Sequence, residues 1–191
     1  MGTNFFLYLT TFVCGASIMG VELSASRFMA PYYGSSSIIW TIIIGVLLVA
    51  MSVGNFLGGI LADRPEAESR LYLLIWLCSI WIAVIPFVGK YAILLSTSAI
   101  LFLSPDLLIV GGSLFSCLAL FFLPCLLLGA VSPCLAKVAT KNLENNGRVL
   151  GELFGFSTLG SIVGTILPTF VSIPLIGTSK TFFLFAAMMN F

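Results

Sequence analysis

Two ionisable residues, Glu22 and Arg27, close an apolar run from Phe5 to Val21, within the stretch GVELSASRFMAPYYGSS at Gly20 to Ser36. An ionisable group at membrane depth is tolerated only where it faces a bundle interior, a water-filled cavity or a partner. A carboxylate in that low-dielectric setting can hold a cationic amine or take up a proton. It can equally make a structural hydrogen bond inside a bundle, and the residues around Glu22 leave both readings open. Arg27 stands five residues on, which turns it away from Glu22 around the helix, so a direct pair within one helix does not follow. Its closeness to Pro31 lets the guanidinium snorkel to the interface, with a substrate contact as the alternative. Tyr32 and Tyr33 are amphipathic rings suited to an interfacial belt, or to a cation–π contact.

The remaining polar residues point to packing chemistry. Asp63 and Arg64 end an apolar stretch, where an acid opposes the negative end of the helix dipole and seeks a donor on another helix; the two read as an interhelix clamp. Glu152 can pair i,i+4 with Arg148, with a substrate contact as the alternative. Ser104, Pro105 and Asp106 spell a helix start, which makes Asp106 a capping residue before it is a ligand. The chain has no histidine, so it contains no Ser-His-Asp triad, histidine metal site or histidine proton relay. Cys14, Cys78, Cys117, Cys125 and Cys134 lie in apolar runs without a CxxC pair and read as core thiols rather than metal or redox groups. Neither a metal nor a cofactor is expected.

These residues must be positioned by membrane helices. The 191 residues are 60% hydrophobic and 8% charged, with mean hydropathy +1.18, too little polar surface to cover a globule in water. The fold class is all-α: a single transmembrane domain over residues 1–191 with about six spans of roughly 20 residues each. A net charge of +1 and no basic run give no footprint for nucleic acid. Met1 to Asn4 lack a basic n-region, so the first run is expected to be a retained span rather than a signal peptide.

The expected spans are about Phe5 to Ala30, Ile38 to Leu61, Leu71 to Val88, Leu107 to Ala136 and Val149 to Ile173. Pro31 is expected to end the first helix, and Gly89 and Lys90 to break the third. Tyr91 to Leu103 is either an interfacial or re-entrant piece or an extension of span three. Pro124 and Pro133 are expected kinks in span four, Pro174 to Ser179 a turn, and Lys180 the start of a sixth span that Phe191 cuts mid-helix. Arg64, Arg70, Lys137, Lys141 and Arg148 fall after spans two and four, against Lys90 and Lys180 in the opposite set. The positive-inside rule then places a multi-pass protein in the cell membrane with its N-terminus cytoplasmic.

Span two carries Ala50, Gly54, Gly58 and Ala62 at four-residue spacing, a stripe that lets backbones approach closely. Span five carries Gly147, Gly151 and Gly155, then Gly160 and Gly164. Packing is the first use of such stripes; sliding surfaces in a transporter are another.

Four motifs, GVELSASRFMAPYYGSS, GNFLGGILADR, LPCLLLGAVSP and GRVLGELFGFSTLGSIVG, occur in that order. With them the chain resembles the membrane half of the fused major-facilitator/spermidine-synthase-like family over nearly all its length. Gly59-x-x-x-Asp63-Arg64 is also similar to the signature that major-facilitator transporters place between their second and third helices. Here Pro65, Glu66, Ala67 and Glu68 replace the glycine and basic residues expected beyond it. Phe154 and Ser157 stand where the family pattern usually has tyrosine and asparagine.

The resemblance implies a six-helix half-facilitator bundle that is normally followed by a soluble aminopropyltransferase-like domain, absent from this sequence. No glycine-rich nucleotide loop remains, so the chain alone is not expected to be an enzyme. The resemblance implies transport of a polyamine or related small cation around Glu22, Arg27 and Tyr32. It equally allows a non-transporting anchor for the synthase-like domain. The bilayer is one partner, and a homodimer or a second helix bundle would complete the transport path.

Overall fold

The computed structural model describes residues 2–65, 67–99, 105–140 and 146–190. In hydrocarbon every backbone N–H and C=O must be satisfied within its own segment, and these apolar runs accordingly fold as helices. They are α1 (Gly2–Tyr33), α2 (Ser37–Ala62), α3 (Ala67–Ala99), α4 (Pro105–Ala139) and α5 (Asn146–Ile166). A π-helical stretch (Leu167–Ser172), the short α6 (Ile173–Ile176) and α7 (Thr178–Met189) follow. Five helices are long and apolar enough to cross a membrane, the fifth running through the π-helical stretch to Ile176. Among the described residues there is no strand. The protein is an all-α, multi-pass membrane bundle.

Several boundaries differ from the sequence expectation, each for a local reason. Pro31 does not end α1; the helix runs on to Tyr33 and stops at Gly34, whose φ of +83° starts the turn. Ser36 then caps α2 by accepting from the Ile39 amide. Gly89 and Lys90 do not break α3, because Gly89 is where the Phe28 ring of α1 packs and a Cβ would collide with it. Tyr91 to Ala99 therefore extend the third span. Ser104 and Lys141 lie outside the described residues.

One proline leaves a carbonyl that a neighbouring helix uses. Pro124 has no N–H for the Leu120 carbonyl one turn earlier, and that carbonyl accepts from Trp81 Nε1 of α3 at 3.1 Å. Trp81→Phe leaves it unpaired and should cost about 1–2 kcal/mol, read as a lowered melting temperature in detergent. Near Pro168 the ring and the missing N–H widen the turn into the π-helical stretch. Gly177 (φ +86°) then separates α6 from α7, and Thr181 ties that turn by donating to Ser172 Oγ at 3.1 Å.

The closest packing is between α2 and α4 and between α1 and α5, and the two contacts are copies of each other. In one, a Cβ on Gly54 would collide with the backbone of Leu126 and Ala130, and one on Gly58 with Ala130. In the other, Gly160 meets Phe12 and Ala16, and Gly164 meets Ala16. The reciprocal glycines match too: Gly129 of α4 lies on Met51, and Gly15 of α1 on Ser157. The register is constant within each helix pair, with Phe12, Gly15 and Ala16 of α1 matching Leu126, Gly129 and Ala130 of α4. Likewise Gly45, Leu47, Gly54, Gly58, Ile60 and Leu61 match Gly151, Leu153, Gly160, Gly164, Ile166 and Leu167. The repeat thus pairs α1 with α4 and α2 with α5. Three crossings separate each matched pair, so the second copy runs inverted relative to the first.

Candidate functional site

The described ionisable residues fall into a charged end, the exposed cations Arg27, Lys90 and Lys180, and one half-buried acid within the spans, Glu22. At the charged end, Lys137 Nζ of α4 donates to Asp63 Oδ1 beyond α2 at 2.9 Å. Arg148 Nε donates to Glu152 Oε1 within α5, also at 2.9 Å. The Tyr8 hydroxyl of α1 donates to the other oxygen of Glu152 at 2.5 Å, and its ring stacks on Phe156. Each of the two glycine-packed helix pairs is thereby tied at this end by one carboxylate. The Asp63 pair is well exposed, so its worth is about 0–1 kcal/mol. Arg64 is exposed and joins neither tie.

Glu22 is half-buried on α1 and makes no hydrogen bond or ion pair among the described residues. Its place follows from the helix around it. Gly15 and Ala16 pack on α5, Gly20 lies under the Phe185 ring of α7, and Val21 and Ala25 are fully buried. Glu22 sits one turn beyond Ile18, which with Thr11, Gly15, Ser132 and Ser157 lines a small cavity of about 30 Å³ between α1, α4 and α5. The buried Cys125 thiol of α4 is within its electrostatic reach. By the repeat register the position equivalent to Glu22 is Ala136, so the acid is an addition to a scaffold whose other copy packs without it.

Arg27 and Tyr32 are both exposed, and neither bonds to Glu22. The structure does not gather the three sequence candidates into one site. Tyr33, expected in an interfacial belt, is instead 8% exposed. Its hydroxyl meets Ser116 Oγ at 2.8 Å and Thr97 Oγ1 at 2.9 Å, joining α1, α4 and α3 at the end opposite the charged one. Gly54, Gly58 and Gly160 are contact residues, whereas Gly147, Gly151 and Gly155 have nothing within 4 Å and pack against no helix. Comparison with family models, curated proteins and solved structures finds no match.

What this arrangement can do chemically rests on its own residues. Among the described residues no group of three Cys, Asp or Glu side chains could hold a metal, and all five cysteines are buried and free of disulfides. Ser17 and Ser24 carry buried hydroxyls without partners, but they share the α7-facing side of α1 with Gly20 and do not join Glu22. A lone carboxylate at a helix seam can bind a cation or exchange a proton. Sequence reasoning missed Tyr8 and the Tyr33 hydroxyl cluster; nothing in the sequence links Tyr8 to Glu152, which lies 144 residues on in α5.

Proposed function

We propose that this chain is the membrane part of a spermidine-synthase-like protein and carries a polyamine or related small organic cation, with Glu22 as the cation-holding group. The observation that carries the reading is the half-buried, unpartnered Glu22 carboxylate at a position its repeat partner fills with Ala136. A packing role would give that carboxylate a donor, as Asp63 and Glu152 have. The inverted match of α1 with α4 and α2 with α5 supports a transporter bundle, since such repeats can rock against one another around a site between them. A second copy or another bundle completes the path, and the positive-inside rule puts the charged end in the cytoplasm. The chain performs no chemistry of its own.

The test is uptake of labelled spermidine and putrescine by purified protein in liposomes, wild type against Glu22→Gln, with helicity and melting followed in both. Saturable wild-type uptake that the variant loses while remaining folded is the expected outcome. Absence of wild-type uptake, or full uptake by the variant, would overturn the reading in favour of a non-transporting anchor.

A further inference from the structure

Glu22 stands at the seam between two tightly packed helix pairs. In α1–α5 and in α2–α4 glycines bring one backbone against the other, and each packed pair is the image of the other in the inverted repeat. By contrast, α4 and α5 touch lightly. Tyr8, Thr11, Gly15, Ile18 and Glu22 recur at three- and four-residue spacing and so share one face of α1. That face meets α4 and α5 along two small cavities that share Leu153. One, of about 50 Å³, lies beside Tyr8, Ala139 and Val149; the other, of about 30 Å³, runs from Thr11 to Ile18. The Ser132 and Ser157 hydroxyls on the second make no hydrogen bond among the described residues. Such volumes have room for water but not for an organic cation, whose pockets run to about 300 Å³ or more. The seam must widen before a cation reaches Glu22.

The bonds across the seam decide where it widens. At the charged end both carboxylate ties lie within a packed pair, Tyr8 and Arg148 on Glu152 in one and Lys137 on Asp63 in the other. The Phe6 and Tyr72 rings, where α1 meets α3 at that end, make an apolar contact that can slide. At the opposite end the Tyr33 hydroxyl bonds Ser116 of α4 and Thr97 of α3, which fastens α1 across the pairs. Gly20, with the Phe185 ring of α7 over it, lies on the other side of α1 from Glu22, so α7 does not bar the seam. We propose that α1–α5 moves as a unit against α2–α4, hinged at the Tyr33 cluster and opening at the charged end, so that Glu22 is reached from that end. Widening there leaves both ties and both glycine contacts intact, whereas widening at Tyr33 breaks two hydrogen bonds. This rests on Glu22 as the cation-holding group and adds the side from which it is loaded.

Labelling of Glu22→Cys with a membrane-impermeant maleimide, in sealed vesicles of either orientation, tests this. Arg64→Cys and Tyr32→Cys mark the charged and the opposite side, and the wild type, whose five cysteines are buried, gives the background. Glu22→Cys is expected to react about tenfold faster from the side that labels Arg64→Cys, the factor that one to two hydrogen bonds supply. Adding Tyr33→Phe is expected to raise its labelling from the Tyr32 side by about the same factor. Should that variant fail to fold, Ser116→Ala must shift labelling in the same direction. Labelling at background from both sides, equal rates from the two sides, or a faster rate from the Tyr32 side overturns the proposal. So does an unchanged pattern in Tyr33→Phe or Ser116→Ala. The readout involves no cation: absence of spermidine uptake alongside the expected labelling overturns the reading of Glu22 and leaves the movement, whereas uptake with labelling from the Tyr32 side overturns the movement alone.

Discussion

Gly160→Leu is expected to lower the melting temperature of the bundle sharply, and Gly151→Leu, earlier on the same helix, to leave it nearly unchanged. At Gly160 a Cβ would run into the backbone of Phe12 and Ala16. Backbone cannot rotate aside as a side chain can, so α1 and α5 must separate along the contact. Overpacking of this kind costs about 1–3 kcal/mol, more where backbone must move, and lost helix–helix dispersion adds to it. At Gly151 nothing lies within 4 Å, and the exchange should stay within about 0.5 kcal/mol. Gly54→Leu on α2 should match Gly160→Leu, because the inverted repeat gives it the same environment against Leu126 and Ala130. Circular dichroism melts of the three variants in one detergent read this directly. Equal melts for the Gly151 and Gly160 variants contradict it.

Glu22→Leu is expected to abolish cation uptake while raising stability. A half-buried carboxylate without a donor costs free energy in the folded bundle, and an apolar side chain of similar size removes that cost, worth about 1–2 kcal/mol. For a chain of this length that is roughly 2–4 °C of melting temperature per kcal/mol. A residue that destabilises its fold and is indispensable to activity is the signature of a functional group rather than a packing one. The converse pairing, a lower melting temperature with uptake retained, marks Glu22 as a structural hydrogen-bonding residue. Ala136→Glu, at the equivalent position of the repeat, should destabilise without restoring uptake to Glu22→Leu.

The span pattern was legible in the sequence because hydropathy and helix length are local properties. So was the Arg148–Glu152 pair, which four-residue spacing dictates, and the search of Asp63 for a donor on another helix. Element ends were less legible. Pro31 and Gly89 look like breakers by residue type, yet Pro31 falls in the last turn of α1 and Gly89 is needed for the Phe28 ring. The two glycine stripes were visible, but not that they are one pattern: Gly45 to Leu61 and Gly151 to Leu167 align only once Gly54 and Gly160 are seen against Leu126 and Phe12. For the same reason Gly147, Gly151 and Gly155 look equivalent to Gly160 and Gly164 in the sequence, since spacing gives a stripe but not the helix that covers it. At the candidate site the sequence singled out Glu22 through its charge at membrane depth. It grouped Arg27 and Tyr32 with it through proximity along the chain, which helical rotation undoes, and it had no means of seeing Tyr33 close on Ser116 and Thr97.

The most direct measurement on Glu22 is equilibrium binding of radiolabelled spermidine to the purified protein in detergent, wild type and Glu22→Gln side by side. A hydrogen-bonded charge contact of this kind corresponds to a roughly tenfold or greater loss of affinity when the charge is removed. Saturable wild-type binding with that loss in Glu22→Gln, at unchanged helicity, is the expected result. Binding of equal strength by the two proteins, or none by the wild type, contradicts the assignment of Glu22 as the cation-holding group.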